Sequence, residues 1–209
     1  MANMTNAKNY GFYTIDPDYL KYLHKIDSEV YYNPSYYHNI KPFIGIVVGL
    51  KDCSYFIPLT SAKEKHKTWK NVSDEHFLVY EIVNSSDIIQ GDIYKRCSDT
   101  QNFHILSVLD IKKMIPVPET LCSKVEFDKI KDRRYLDLLK KEFNFCLKIK
   151  EKVLHGTENL YRKQKKAGKR KKTHCDFSKC ETAMKAYEKI MEKRIEQKGK
   201  LKKHQKSIR

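Results

Sequence analysis

The chain has 209 residues, with 42 Lys/Arg against 26 Asp/Glu, a formal net charge of +16, and 40% hydrophobic positions. That suffices for one domain with a single core, and seven Gly and six Pro against fourteen Tyr and nine Phe exclude a collagen, a mucin-like stalk, a coiled-coil rod or a chain disordered throughout. The longest apolar run, Phe43 to Leu50, is far short of the roughly 20 residues of a membrane span, and the polar start lacks the apolar core of a signal peptide, so a cytoplasmic protein with no membrane contact is expected.

Taken in chain order, Asp16-Pro17 reads as a helix start, the Asp as cap and the Pro at the first helical position, where its missing N–H costs nothing. Tyr19, Leu20, Leu23 and Ile26 form its apolar stripe, and it ends near Ser28. Glu29 to Ile40 is a tyrosine-rich loop broken at Asn33-Pro34. Phe43 to Gly49 and Ser54 to Leu59, rich in β-branched and aromatic residues around Lys51-Asp52, read as a β-hairpin. Phe77 to Val83, Phe103 to Leu109 and a short Lys113 to Val117 add strands to a small, mostly antiparallel sheet. From Asp132 the period turns helical, with Tyr135, Leu138, Leu139, Phe143, Cys146, Ile149 and Val153 on one face, and it weakens at His155-Gly156. Residues 163–172 (KQKKAGKRKK) carry seven basic side chains and no apolar partner, which predicts a basic loop or an arm ordered by its ligand. A last helix starts at Asp176, and residues 1–10 and 198–209 are expected to be flexible termini of a single domain spanning 1–209.

The charge is unevenly placed: residues 161–209 hold 19 Lys/Arg against 5 Asp/Glu, a balance of +14, while residues 1–160 hold 23 against 21. A near-neutral body with a cationic extension points to a polyanion, because each Lys or Arg that meets a phosphate releases a condensed counterion; a solvated tail that keeps the chain soluble is the plainer alternative. Lys163, Lys165, Lys166, Lys169, Arg170, Lys171 and Lys172 are the candidate RNA-binding residues. The six cysteines are spaced by 44, 25, 24, 29 and 5 with no C-x-x-C pair, so reduced thiols are expected, and His174, Cys175 and Cys180 lack a fourth ligand for a metal.

No G-x-G-x-x-G, P-loop, H-E-x-x-H or G-x-S-x-G occurs, so nucleotide, zincin and esterase sites have no local support and no cofactor is expected. If the first hairpin folds as read, Tyr37 and Lys41 before it and Thr60, Ser61 and Lys63 after it meet at one end of the sheet. Two hydroxyls, two ammonium groups and a phenol suit a phosphodiester, although Thr-Ser-x-Lys alone is commonly just a polar turn. No residue is an obvious general base at neutral pH; a histidine is the easiest to tune, and of His38, His66 and His104, each more readily a surface or packed residue, His38 is the best placed because it adjoins Tyr37.

The order of four segments adds to this reading: Phe12-Tyr13-Thr14-Ile15, then Lys41-Pro42-Phe43-Ile44-Gly45-Ile46-Val47, then Pro58-Leu59-Thr60-Ser61-Ala62-Lys63, then Met114-Ile115-Pro116. Together they resemble the ToxN/AbiQ endoribonuclease toxins of type III toxin–antitoxin systems over residues 11 to 195, and residues 173–178 (THCDFS) resemble that family's short motif before its last helix. The resemblance implies an α+β fold, a compact, mostly antiparallel barrel-like sheet similar to the MazF/Kid toxins, wrapped by helices and followed by a helical, basic C-terminal region. It implies a metal-independent endoribonuclease, neutralised by a small repetitive pseudoknot RNA whose precursor it processes, in a closed ring of alternating toxin and RNA, with no protein antitoxin. Its role would be phage defence by abortive infection. Carried over by motif, the catalytic positions are Tyr37, Lys41, Thr60, Ser61 and Lys63. Ala62 departs from the family's usual proline, and the basic stretch and tail look longer than usual. In such an enzyme the RNA's own 2′-hydroxyl attacks phosphorus, leaving a 2′,3′-cyclic phosphate and a 5′-hydroxyl. A non-catalytic RNA-binding protein that uses only the basic C-terminal region is the alternative; a DNA-binding regulator is weaker, since no helix-turn-helix spacing is apparent.

Overall fold

The computed structural model describes residues 10–34, 44–50 and 53–206; Tyr37, His38, Lys41 and the hairpin turn at Lys51 and Asp52 lie outside them. Its strands are β1 (Phe12–Ile15), β2 (Ile44–Leu50), β3 (Cys53–Ser61), β4 (Phe77–Asn84), β5 (Tyr94–Arg96), β6 (Gln101–Leu109), β7 (Ile115–Pro116) and β8 (Cys122–Lys124). Its α-helices are α1 (Pro17–Ile26), α2 (Arg133–Lys148), α3 (Lys150–Ala167) and α4 (Phe177–Lys206). The strand order is β4-β6-β3-β2-β1-β8, with β5 on β6 and β7 on β3, and every pairing is antiparallel. The path is open: β4 and β8 end it without meeting, so the sheet is mixed with helices but is not a closed barrel.

The hairpin β2–β3 is the centre of this arrangement. Leu50 pairs with Cys53, and the register runs back to Gly45 opposite Pro58. Gly45 is required there, because a Cβ would stand 2.1 Å from the Ile57 carbonyl oxygen and 2.6 Å from the Phe56 ring. β3 then changes partner. Tyr55 and Phe56 pair with β7, and from Leu59 onward the same edge pairs with β6, so the last three residues of β3 belong to the second half of the sheet.

The helices begin where side-chain oxygens cap them: Asp16 accepts from the Tyr19 N–H at 3.0 Å, Asp132 from Tyr135 at 3.0 Å and Asp176 from Lys179 at 3.0 Å. They enclose an aromatic core. Tyr19 lies 5.1 Å from Tyr187, Phe12 lies 5.2 Å from Phe143, and Tyr55 packs edge-on to Tyr161 and Phe177, pairs worth about 0.5–1.5 kcal/mol each beyond their burial. Tyr55 and Tyr161 both donate to Glu181 Oε1 at 2.7 Å, and Lys165 holds its other oxygen, which joins β3 to α3 and α4.

The structure corrects several boundaries. The helical pattern from Asp132 is two helices parted at Ile149, and His155-Gly156 lie inside α3. Residues 163–167 of the expected basic loop form the last turn of α3, stabilised because Lys163 and Lys165 find Asp74 and Glu181, partners distant in sequence. Gly168, at φ +64°, ends the helix in the left-handed conformation that glycine adopts without strain. At the other end, α4 continues to Lys206 through most of the expected flexible terminus. The strands β1, β5 and β8 carry too little alternation to stand out, and their partners create them. All six cysteines are free; burial raises the Cys175 and Cys180 thiols, the latter to about 12.

Candidate active site

The change of partner along β3 decides what its end displays. Thr60 faces Val108 and Ser61 faces Ser107 on β6. Neighbouring residues of a strand point to opposite faces, so Thr60 and Ala62 lie on the face shared with Leu78, Ile105 and Val108, against which Ala62 and Trp69 pack. Ser61 projects from the other face and is exposed, whereas the Ser107 hydroxyl opposite it is buried and makes no hydrogen bond among the described residues. Lys63 keeps an extended backbone (φ −142°, ψ 156°), so it continues the strand alternation and shares the face of Ser61. Its ammonium is exposed and forms no ion pair among the described residues, and Glu64 beside it is taken by Lys67.

A turn of 3₁₀ helix at Glu64–Thr68 holds this end in place. The Lys63 N–H donates to His66 Nδ1 at 3.0 Å, and the Lys63 carbonyl accepts from the His66 N–H at 2.8 Å. His66 is only 3% exposed and lies 4.6 Å from the Trp69 ring. Burial, then the Lys65 and Lys63 charges, push its pKa down to about 4, so the imidazole is neutral and its Nδ1 is the bare nitrogen that accepts from Lys63. On the other side of Trp69, 4.5 Å away, is His76, held by Ser73 and the Lys70 carbonyl, and the ammonium groups of Lys65 and Lys112 stand 5.6 and 5.3 Å from the Trp69 centroid.

The segment that carries Tyr37 and Lys41 leaves and re-enters the described structure at this same end. Tyr31 donates to Asp110 Oδ2 at 2.9 Å, and the Asp110 N–H donates to the Pro58 carbonyl, two residues before Thr60. Lys113 ties down the preceding residue but one through the Glu29 carbonyl at 3.1 Å and the Glu29 carboxylate. Chain re-entry is at Ile44, next to the Gly45–Pro58 pair. Tyr37 and Lys41 themselves are outside the described residues, as is His38. Asp110 is buried, its Oδ1 has no hydrogen bond among the described residues, and burial raises its pKa.

The other candidates divide. His104 is clamped in the sheet between Glu81 (3.0 Å) and Asp92 (3.3 Å), stacked on Tyr94, which gives it a structural place; His66 serves Lys63. Of the basic residues, Lys163 pairs with Asp74 at 2.6 Å, Lys165 with Glu181, and Lys171 with Glu75 at 2.8 Å. Arg170 donates to the Lys172 and His174 carbonyls and stands 3.6 Å from Asp27. Lys166, Lys169 and Lys172 are exposed with no ion pair among the described residues. Glu75 also lies 3.1 Å from His174 Nε2; the Lys171 hydrogen bond first, then His174, hold its pKa near 2 against the effect of burial. Trp69, Glu75 and Glu181 escape the sequence reading; the sequence offers His66 as a base, and the structure makes it the support of the Lys63 backbone instead, a role for which the K-x-x-H spacing of Lys63 and His66 is the available signal. No helix among the described residues is long and apolar enough to cross a membrane.

A strand end that offers a hydroxyl and, among the described residues, an unpaired ammonium on one face, in a chain whose excess charge is cationic, has the chemistry that suits a polyanion. The family model for the toxin ToxN of type III toxin–antitoxin systems matches residues 11–185, and the chain belongs to that family. It is 30% identical over 184 residues to the endoribonuclease AbiQ of Lactococcus lactis subsp. lactis, covering 85% of this chain and 89% of that one. It is 27% identical over 193 residues to the endoribonuclease ToxN of Bacillus thuringiensis subsp. kurstaki, covering 88% and 87%. A solved structure concerning selective toxin inhibition by a non-coding RNA pseudoknot superposes with a TM-score of 0.62 at 24% identity, over 87% of this chain and 99% of that one.

Proposed function

We propose that the chain is an endoribonuclease toxin that cuts single-stranded RNA at the end of β3 and is held inactive by an RNA antitoxin; its likeness to the endoribonucleases AbiQ and ToxN and to a toxin inhibited by an RNA pseudoknot supports this. The observation that carries this is the convergence at one end of the sheet: Ser61 and Lys63 share an exposed face, and both anchors of the segment bearing Tyr37 and Lys41, Tyr31 on Asp110 and Ile44 beside Pro58, lie within two residues of Thr60 along the strand.

The chemistry needs little from the protein beyond charge and position. The 2′-hydroxyl of the RNA attacks the adjacent phosphorus, the P–O5′ bond breaks, and the products are a 2′,3′-cyclic phosphate and a 5′-hydroxyl. The developing charge on the phosphate oxygens is met by the ammonium of Lys63, joined by that of Lys41, and by a hydrogen bond from Ser61. Thr60, half-buried on the opposite face, orients the strand end, and Tyr37 supplies a ring for a flanking base. Anchoring of the Lys63 backbone by neutral His66 sets where that ammonium starts.

The test is to incubate the purified protein with a mixed-sequence RNA in EDTA and map the ends. Discrete cuts with cyclic-phosphate ends, lost in Lys41→Ala and Ser61→Ala, are expected. Intact RNA with tight, salt-sensitive binding would replace this reading with the non-catalytic binding protein. Growth arrest in cells, relieved by the cognate antitoxin RNA and triggered by phage, is the expected biological behaviour.

A further inference from the structure

Between α1, the end of α3 and the start of α4 lies an open cleft of about 550 Å³, within the range of small-ligand sites. Its walls are unlike one another. Tyr22 forms an aromatic side, backed at 4.9 Å by Tyr187, and Ala183 and Ala186 form a flat apolar floor. Lys169 and Lys179 stand at its rim, and neither has an ion-pair partner among the described residues, although Lys163, Lys165 and Lys171 nearby are all paired. Asp176 also lines it; Oδ1 caps the Lys179 N–H, and Oδ2 makes no hydrogen bond among the described residues.

The first turn of α4 does not itself make an anion site. The Asp176 N–H goes to Asp27, the Phe177 N–H to Gln164 and the Lys179 N–H to the Asp176 side chain. The cations available to a ligand are therefore the two lysines. A flat apolar slot with an aromatic wall takes a planar ring, two unpaired ammonium groups take a phosphate, and a free carboxylate oxygen takes an N–H on the ring's edge. A nucleotide with an amino-bearing base satisfies all three, and uracil, whose N–H lies between two carbonyl oxygens, satisfies the last one poorly.

We propose that this cleft receives one nucleotide of bound single-stranded RNA, its base against Tyr22 and its phosphate on Lys169 and Lys179, apart from the β3 end. The inference rests on the reading of the chain as an RNA-handling toxin and says which surface holds RNA away from the cut.

The probes are 2′-O-methyl oligoadenylate and oligouridylate of equal length, which cannot be cleaved, titrated by fluorescence anisotropy over a salt series. Oligoadenylate is expected to bind tighter. Tyr22→Leu is expected to weaken it about 10-fold and Tyr22→Phe to leave it unchanged. The double variant Lys169→Gln/Lys179→Gln is expected to lower the salt slope by about 0.7, the share of the one phosphate left without its lysines, and Lys131→Gln/Lys140→Gln, equal charge removed elsewhere, to lower it less. The inference is overturned if folded Tyr22→Leu binds like the wild type, or if the two double variants behave alike; the lysine pair decides the matter should Tyr22→Leu not fold. Wild-type cleavage of ordinary RNA in EDTA separates the two levels. With cleavage intact and the cleft variants silent, only the cleft proposal fails, whereas a wild type that neither cuts nor binds RNA removes both.

Discussion

The end of β3 and the basic region of α3 and α4 use charge in opposite ways. At β3 the sequence is sparing, with one exposed hydroxyl and one ammonium, and neither is paired among the described residues, while the backbone beneath them is fixed through His66 and Ser107's strand. In the C-terminal region the sequence is lavish, yet Lys163, Lys165 and Lys171 are consumed by Asp74, Glu181 and Glu75, and Arg170 by backbone carbonyls. Density of charge along a chain is thus a poor guide to charge available for a ligand. What decides it is whether folding brings a carboxylate within reach.

Substitutions sharpen this contrast, beginning with the largest effects. Lys63→Ala removes the unpaired ammonium and is expected to slow RNA cleavage by about 10²–10³-fold with unfolding unchanged, read from single-turnover cleavage; a loss under 10-fold would break the assignment of charge stabilisation to this end. Gly45→Ala forces a Cβ into the Ile57 carbonyl and is expected to destabilise the hairpin by about 3 kcal/mol or more, seen in denaturant unfolding. Glu181→Ala strands the hydroxyls of Tyr55 and Tyr161 and is expected to cost about 2–3 kcal/mol by the same measurement, which would show that Lys165 belongs to a structural network.

Acid should weaken both regions in different windows. His66 has a folded pKa near 4 against an ordinary 6.5, so the stability its neutral form contributes is complete above about pH 6.5 and is lost as pH falls towards 4. Glu75, near 2 against 4.5, contributes above pH 4.5 and loses its share only below that. A melting-temperature profile of His66→Gln should flatten the upper window alone. The smallest effect is expected from Lys163→Gln: its exposed pair with Asp74 is worth less than about 1 kcal/mol, and RNA affinity should fall less than for Lys166→Gln or Lys172→Gln, whose charges are free.

Much of the fold was legible. The cap at Asp16, the strands from Ile44, Cys53, Phe77 and Gln101 and the helices after Asp132 and Asp176 follow from local signals, because capping, turn chemistry and periodicity act over four or five residues. Missing from that reading were β1, β5 and β8, each four residues or fewer, which exist only through the strands beside them. Motif order singles out Thr60, Ser61 and Lys63, whereas Trp69 and Glu75 carry no local signal and the sequence offers His66 only as a base, since nothing in a polar run shows that its turn packs it under Trp69.

The sequence by itself determined the alternation of the hairpin, the capped helices, the cationic excess of the C-terminal region and the residues that bear its family likeness. Tertiary structure alone decided that β3 changes partners just before Thr60, which puts Ser61 and Lys63 on one open face, and which lysines keep their charge for a ligand. The physical reason is range: a cap or a turn is settled between neighbours, but a strand's partner and a lysine's counterion here come from residues 16 to 96 positions away, and only packing chooses among them.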